Sequence, residues 1–377
     1  MNNADTLALP EAALSDYLSQ HVPGFRGPLS AEKFKGGQSN PTYLIRAASG
    51  NYVLRRKPPG VLLASAHAVD REFRVLSALS PTDVPVAKPL HYCSDDAIIG
   101  SAFYVMEYVD GRVFWDPALP EIAVHDRAAY YREIARVLGN IHRLNPNEIG
   151  LGDYGKPGNY FARQLKRWGE QYQQSATEVI PAMDQLLASL NARVTADNES
   201  AALAAGSNST SAALAARSAS KSAALAARPA STSAPALVHG DFRVDNLMFH
   251  ASEPKIIAVM DWELSTLGEA LSDAGYFCMA LRLPANPTLP GLAGKDRAEI
   301  GVPQESEWLA DYFSSSGREK PADWPFYLAF NFFRLAAIAQ GVKKRAALGN
   351  ASNARANEVG AMVDLLAKQG LAALDGA

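Results

Sequence analysis

Two acids and an amide in the second half of the chain have the types and the spacing for phosphate chemistry. In Leu237-Val238-His239-Gly240-Asp241-Phe242-Arg243-Val244-Asp245-Asn246, Asp241 and Asn246 stand five residues apart, and Met260-Asp261-Trp262-Glu263 follows. Moving a phosphoryl group from a nucleotide to an alcohol needs a carboxylate to orient the accepting hydroxyl and oxygen ligands for Mg²⁺, with little covalent help from the protein. An Asp-x-x-x-x-Asn loop supplies the base and one metal ligand together. Lys255 to Met260, an apolar run flanked by polar residues, predicts a buried strand that returns the chain and leaves Asp261 facing Asn246 across one ion. Arg243 puts a positive charge in the same loop, where negative charge builds up during transfer. Glu263 is placed for a further contact with the metal or its ligands.

His-Gly-Asp-Phe-Arg-x-Asp-Asn followed by a strand and Asp-Trp-Glu resembles the aminoglycoside phosphotransferase and choline kinase superfamily. The nearest resemblance is to the phosphotransferase domain found beside, or fused to, acyl-CoA dehydrogenases. Gly36-Gly37-Gln38-Ser39-Asn40-Pro41, Tyr52 to Gly60, Ala66 to Glu72, Phe103 to Glu107 and Arg163 to Trp168 carry that narrower likeness. The resemblance implies an α+β, bilobal, protein-kinase-like fold, with a small antiparallel-sheet lobe over residues 1–109 and a mostly helical lobe over 110–377. It implies use of ATP and Mg²⁺, with Asp241 as base and Asn246 and Asp261 on the metal. The acceptor it implies is a small-molecule alcohol such as a 4-hydroxyacyl-CoA, with a functional link to an acyl-CoA dehydrogenase. Two other readings stay open: a nucleotide-binding, kinase-like protein without turnover, and an aminoglycoside- or choline-type kinase. A kinase acting on polypeptides fits less well, because no Ala-Pro-Glu element or long activation segment lies between Asp261 and Asp273.

These residues must be held by a chain of ordinary globular composition. It has 377 residues, 48% hydrophobic and 20% charged, enough for two lobes. A net charge of −3 argues against a general nucleic-acid binder. Cys93 and Cys278 are the only cysteines, which points to a reducing compartment and two small buried residues rather than a disulfide framework. The first residues, Met1-Asn2-Asn3-Ala4-Asp5, hold neither a basic region nor a long apolar run. No stretch reaches the ~18 apolar residues of a membrane span. A cytoplasmic protein with no membrane partner is the expectation.

Leu9 to His21 predicts a helix opened by Pro10-Glu11, with Leu14, Tyr17 and Leu18 on one face. Ala31–Lys35, Thr42–Arg46 and Tyr52–Arg55, separated by turns, predict three antiparallel strands. The turn Gly36 to Asn40 is expected to fold over the ATP phosphates with backbone N–H groups and the Ser39 hydroxyl, although Gly-Gly-x-Ser alone also fits a plain hairpin. Arg55 takes the place of the strand lysine that meets the α- and β-phosphates. Arg56 and Lys57 are its rivals, and strand alternation puts Arg55 and Arg56 on opposite faces. Glu72, in a helix over Ala64–Leu79, could hold Arg55 in place or lie on the surface. Glu107 and Tyr108, ending the strand Phe103–Val109, would offer backbone groups to adenine.

In the second lobe, Asp126–Leu144 predicts a long core helix, whose His142 reads as a packed residue rather than a catalytic one. A further helix over Gly158–Gln174 puts Arg163 and Arg167 on one face. Ser-Ala-Ala-Leu-Ala-Ala begins at Ser200, Ser211 and Ser222, a tandem unit of 11 residues in three copies. One leucine per copy is too little apolar surface for a core, so an excursion over about 197–235 is expected. Asp273 is expected to be structural. Pro284 to Pro303 reads as a long loop bordering the acceptor. Pro325–Leu348 predicts a helix with Arg334, Lys343, Lys344 and Arg345. From Phe326 to Gln369 six cations stand against two acids, a net +4 that suits an anionic acceptor or marks a solvated face.

Overall fold

The strands near the N-terminus are rich in apolar residues, and they pair into a sheet in which consecutive residues of β2 and β5, on both faces, are buried. The computed structural model of the chain describes residues 9–34, 40–58, 69–156, 158–206, 235–285, 289–348 and 356–376. Gly36, Gly37 and Ser39 of the expected phosphate turn lie outside these residues, as does most of the repeat. Helix α1 (Glu11–His21) precedes strands β1 (Leu29–Lys33), β2 (Thr42–Ala47) and β3 (Gly50–Arg56). Then come α2 (Val69–Leu79), β4 (Pro89–Cys93), the short α3 (Asp96–Ile99) and β5 (Phe103–Glu107). The five strands form one antiparallel sheet in the order β1-β2-β3-β5-β4. Leu14 and Leu18, one turn apart on α1, pack on its inner face with Phe25, Ile45, Leu54, Phe103 and Val105. In this register Arg55 lies opposite Thr42 on one side and Tyr104 on the other.

After β6 (Arg112–Val113) the chain enters α4 (Arg127–Arg143), then α5 (Tyr160–Ser175), α6 (Pro181–Gly206) and β7 (Ala236–Val238). Helix α6 runs on past the expected start of the excursion and into the first copy of the repeat, as far as Gly206. Alanine favours helix, and extending a helix already nucleated adds a hydrogen bond for each residue fixed. Strands β8 (Leu247–Phe249) and β9 (Ile256–Val259) join β6 in a three-stranded sheet, and β10 (Thr266–Gly268) follows. The remaining helices are α7 (Leu271–Leu281), α8 (Glu305–Ser316), α9 (Trp324–Ala347), α10 (Ala356–Ala361) and α11 (Val363–Leu374).

Two compact units divide the chain, and neither is continuous in sequence. The first comprises Met1–Tyr154, His239–Thr266 and Arg297–Ser316; the second comprises Gly155–Val238, Leu267–Asp296 and Gly317–Ala377. In the first, α4 packs on α8. His142 is buried there, its Nδ1 lying 2.8 Å from the Tyr312 hydroxyl, as a structural histidine should. In the second, α9 is buried round most of its circumference, against the expectation of a basic outer face. Arg334 lies inside, its guanidinium 5.5 Å from the Trp168 ring centroid and 5.2 Å from that of Tyr276. Lys343 pairs with Glu178 at 2.5 Å and Lys344 donates to the Gln174 carbonyl at 2.5 Å. Part of the positive charge expected to meet an anion is thus committed within this unit. Cys93 and Cys278 are both buried, and neither is in a disulfide. Among the described residues no helix is long and apolar enough to cross a membrane.

The α4–α8 contact depends on the absence of a side chain. A Cβ on Gly139 would come 2.5 Å from the Ser315 Cβ and 2.9 Å from the Ser316 backbone nitrogen. Alanine gains about 1 kcal/mol over glycine in a helix interior, but forced overpacking costs about 1–3 kcal/mol. Gly139→Ala should therefore lower stability despite better helix propensity, read as a reduced denaturation midpoint.

Candidate active site

All the side chains that could handle a phosphoryl group belong to the first unit. Strand β7 delivers the chain to His239, which is fully buried. Its Nδ1 accepts from the Asp241 N–H at 3.1 Å, so Nε2 carries the ring proton and donates to the Met260 carbonyl at 2.8 Å. The histidine thereby latches the Asp241 loop to the end of the strand that leads into Asp261. Gly240 makes the turn with φ +86°, and a Cβ there would meet the Leu264 carbonyl oxygen at 2.7 Å. Only glycine fits both the angle and the gap.

Asn246 closes the loop. Its Nδ2 donates to the Asp241 carbonyl at 2.8 Å and to the Asp241 carboxylate at 3.0 Å, which fixes the amide with nitrogen toward Asp241. The Met260 N–H donates to the Asn246 carbonyl at 2.9 Å, which brings the residue before Asp261 against Asn246. Asp261 adopts φ +61°, a left-handed conformation that Asp tolerates better than most residues. The amide oxygen of Asn246 and the carboxylate of Asp261 are hard donors suited to Mg²⁺, which keeps several waters and takes one or two protein ligands beside phosphates. Among the described residues no three His, Cys, Asp or Glu side chains form a metal cage, and such a site requires none.

Arg55 reaches this cluster from β3. Its Nη2 is 2.7 Å from Asp261 and 3.4 Å from Glu263, and its Nε is 3.1 Å from Glu72 on α2. Glu72 is 2% exposed, so it is a buried partner and no surface acid. Burial works against the Arg55 charge. Glu72, then Asp261 and Glu263 outweigh that penalty and hold the guanidinium protonated well above the ordinary arginine range. The rival Arg56 points the other way, where its Nε donates to Ser101 at 2.9 Å.

Several contacts escape a sequence reading. Asn40 is buried, and its amide nitrogen donates to Glu263 at 3.4 Å, tying the end of the Gly36–Asn40 segment to the Asp-Trp-Glu turn. Arg243 lies 3.6 Å from Asp241 and bonds Asp245 at 2.8 Å, so a second carboxylate steadies it beside the base. Burial raises the Asp245 pKa, with Arg243 opposing and Asp241 reinforcing the shift. Glu107 ends β5 and Tyr108 follows it, both exposed; the Glu107 N–H is committed to the Lys88 carbonyl at 2.9 Å.

Comparison with known proteins places this geometry. The family model described as the phosphotransferase enzyme family matches residues 30–312. A protein from Ralstonia eutropha JMP134, assigned provisionally to the aminoglycoside phosphotransferases, has a crystal structure that superposes with a TM-score of 0.81. It is 42% identical, over 98% of this chain and 99% of that one. Choline kinase from Cryptosporidium parvum shares the fold at 12% identity, with a TM-score of 0.58 over 97% and 96% of the two chains. Mouse acyl-CoA dehydrogenase family member 10 is 39% identical over 96% of this chain and 31% of its own length. Human acyl-CoA dehydrogenase family member 11 is 37% identical over 95% and 42%. The chain thus spans between about a third and two fifths of these curated relatives. With the sheet and helices above, the neighbours confirm the expected α+β, kinase-like fold.

Arg55→Met would strand Glu72 in the interior without its cation, at a cost of roughly 3–5 kcal/mol. Arg55→Met with Glu72→Met should recover most of that loss. Chemical denaturation of the two variants checks both statements.

Proposed function

We propose that this chain, a member of the phosphotransferase enzyme family, transfers the γ-phosphoryl group of ATP to the hydroxyl of a small, acyl-CoA-linked alcohol. The class of reaction, phosphoryl transfer to an alcohol, follows from the family. The nucleotide, the metal and the acceptor are our reading of the site. One observation carries it: Asp241, Asn246 and Asp261 come from two loops tied together by the Met260–Asn246 and His239–Met260 hydrogen bonds, so a base and two oxygen ligands share one locus.

Asp241 orients the accepting hydroxyl and takes its proton as the oxygen attacks phosphorus. Its carboxylate is held by the Asn246 amide, and Arg243 close by offsets the charge that spreads over the phosphoryl oxygens. Asn246 and Asp261 would hold Mg²⁺, which would supply positive charge to offset that of the nucleotide phosphates. Arg55, braced by Glu72, presents a permanent cation beside Asp261 for the phosphates, and Gly36, Gly37, Ser39 and Asn40 are the expected cover. Glu107 and Tyr108 remain the proposed backbone contacts to adenine.

The acceptor is proposed from the relatives. Relatives covering nearly the whole chain carry acyl-CoA dehydrogenase names, and a phosphotransferase joined to such an enzyme would act on its substrates. A 4-hydroxyacyl-CoA supplies the alcohol within that class. A functional link to an acyl-CoA dehydrogenase belongs to the same proposal.

The purified protein, assayed with ATP and Mg²⁺, should phosphorylate a 4-hydroxyacyl-CoA and leave choline and aminoglycosides untouched, with product identified by mass spectrometry. Asp241→Asn should cut turnover by about a thousandfold or more while nucleotide affinity stays within a few-fold of wild type. EDTA should abolish transfer. Turnover of an aminoglycoside with none of an acyl-CoA would reject the acceptor, and persistence of full activity in Asp241→Asn would reject the base.

A further inference from the structure

Tyr154 is buried at the end of the stretch that follows α4 and touches two things at once. On one side is α2. The Arg71 guanidinium lies 4.0 Å from the Tyr154 ring centroid and donates to the Tyr154 carbonyl at 2.9 Å. Arg74, nearly a turn further along α2, donates to the Gly150 carbonyl at 2.9 Å and pairs with Asp153. Residues 150–154 therefore grip α2 through both arginines that flank Glu72.

On the other side is the Asp261-Trp262-Glu263 turn. The Tyr154 hydroxyl is 2.7 Å from the Ser265 Oγ, and that oxygen is 2.5 Å from the Trp262 carbonyl. A carbonyl can only accept, so the single serine proton goes to Trp262 and the phenol donates to Ser265, with the Arg71 carbonyl at 3.4 Å a second, longer acceptor for the same phenol proton. The Tyr154 ring and hydroxyl thus form a strut. One end holds the helix that carries Glu72, and the other holds the turn that carries Asp261 and Glu263. Those three acids are the ones that surround Arg55.

We infer that Tyr154 is a positioning residue for the phosphate-binding cation: through its hydroxyl it fixes the separation of Glu72 and Asp261, and so the place where Arg55 meets a nucleotide. The inference rests on reading the site as one for ATP. Burial, the largest influence on the phenol, raises its pKa, so Tyr154 keeps the proton that the strut requires. Were Tyr154 only a core aromatic, phenylalanine would serve equally, since it keeps the ring beneath Arg71.

The test uses the full chain with Tyr154→Phe, Ser265→Ala and the two combined. Calorimetric affinity for a non-hydrolysable ATP analogue with Mg²⁺ is measured alongside thermal midpoints. Each single variant should weaken nucleotide binding by about fivefold, the scale of one buried hydrogen bond. The double variant should bind no more weakly than Ser265→Ala alone, because both changes cut the same link. The KM for the acceptor should not move. Nucleotide affinity within twofold of wild type in Tyr154→Phe overturns the inference, whatever happens to the midpoint, and so do losses that multiply in the double variant. If the wild-type protein binds no nucleotide, the ATP reading itself fails and this inference falls with it.

Discussion

A guanidinium buried among three carboxylates is the constraint from which the rest of the first unit can be understood. Arg55 has 12% of its side chain exposed, and Glu72 has 2%. A charge so placed is tolerable only while its partners stay close. Glu72 must come from a helix, Asp261 and Glu263 from a turn, and Arg55 from a strand. Three elements distant in sequence are therefore obliged to keep a common geometry, or the buried charges of Arg55 and Glu72 go uncompensated. The antiparallel sheet, the grip of residues 150–154 on α2 and the His239 latch all serve that obligation.

On the proposed reading, the Asp241 loop needs little chemistry of its own. Phosphoryl transfer is governed by alignment and by neutralising charge, and the Asp241 loop is arranged for alignment. Asn246 is oriented by two bonds to Asp241 and bound through its own carbonyl to the residue before Asp261. A displacement of any one of these groups would move the others. Such coupling explains why glycine is needed where the loop passes closest to Leu264.

Much of this was legible in the residues alone because it is local or periodic. Asp241 and Asn246 act within one loop, so their spacing carries the information. Arg55 separates from Arg56 by strand alternation, and Glu72 by its place in a helix after that strand. What could not be read depends on contacts between distant segments. No pattern announces that Asn40 bonds Glu263, that Asp245 steadies Arg243, or that His239 spans from Asp241 to Met260. The basic face of α9 misled for a related reason. Counting cations along a helix assumes that they face water, whereas Arg334 is enclosed by the aromatic rings of Trp168 and Tyr276. Periodicity cannot distinguish one buried side of a helix from two.

The discontinuity of the first unit bears on how the molecule is made. Its sheet is complete by residue 107, but the groups that close round Arg55 arrive only with residues 239–266, after the ribosome has passed through 155–238. Arg55 and Glu72 emerge early and must wait for Asp261. Because closing a loop grows harder only with the logarithm of its length, roughly 0.6 kcal/mol for each doubling, residues added between these stretches burden folding little. The tandem sequence ahead of β7 lengthens one such connection, so its entropic burden on bringing Asp261 to Arg55 is small.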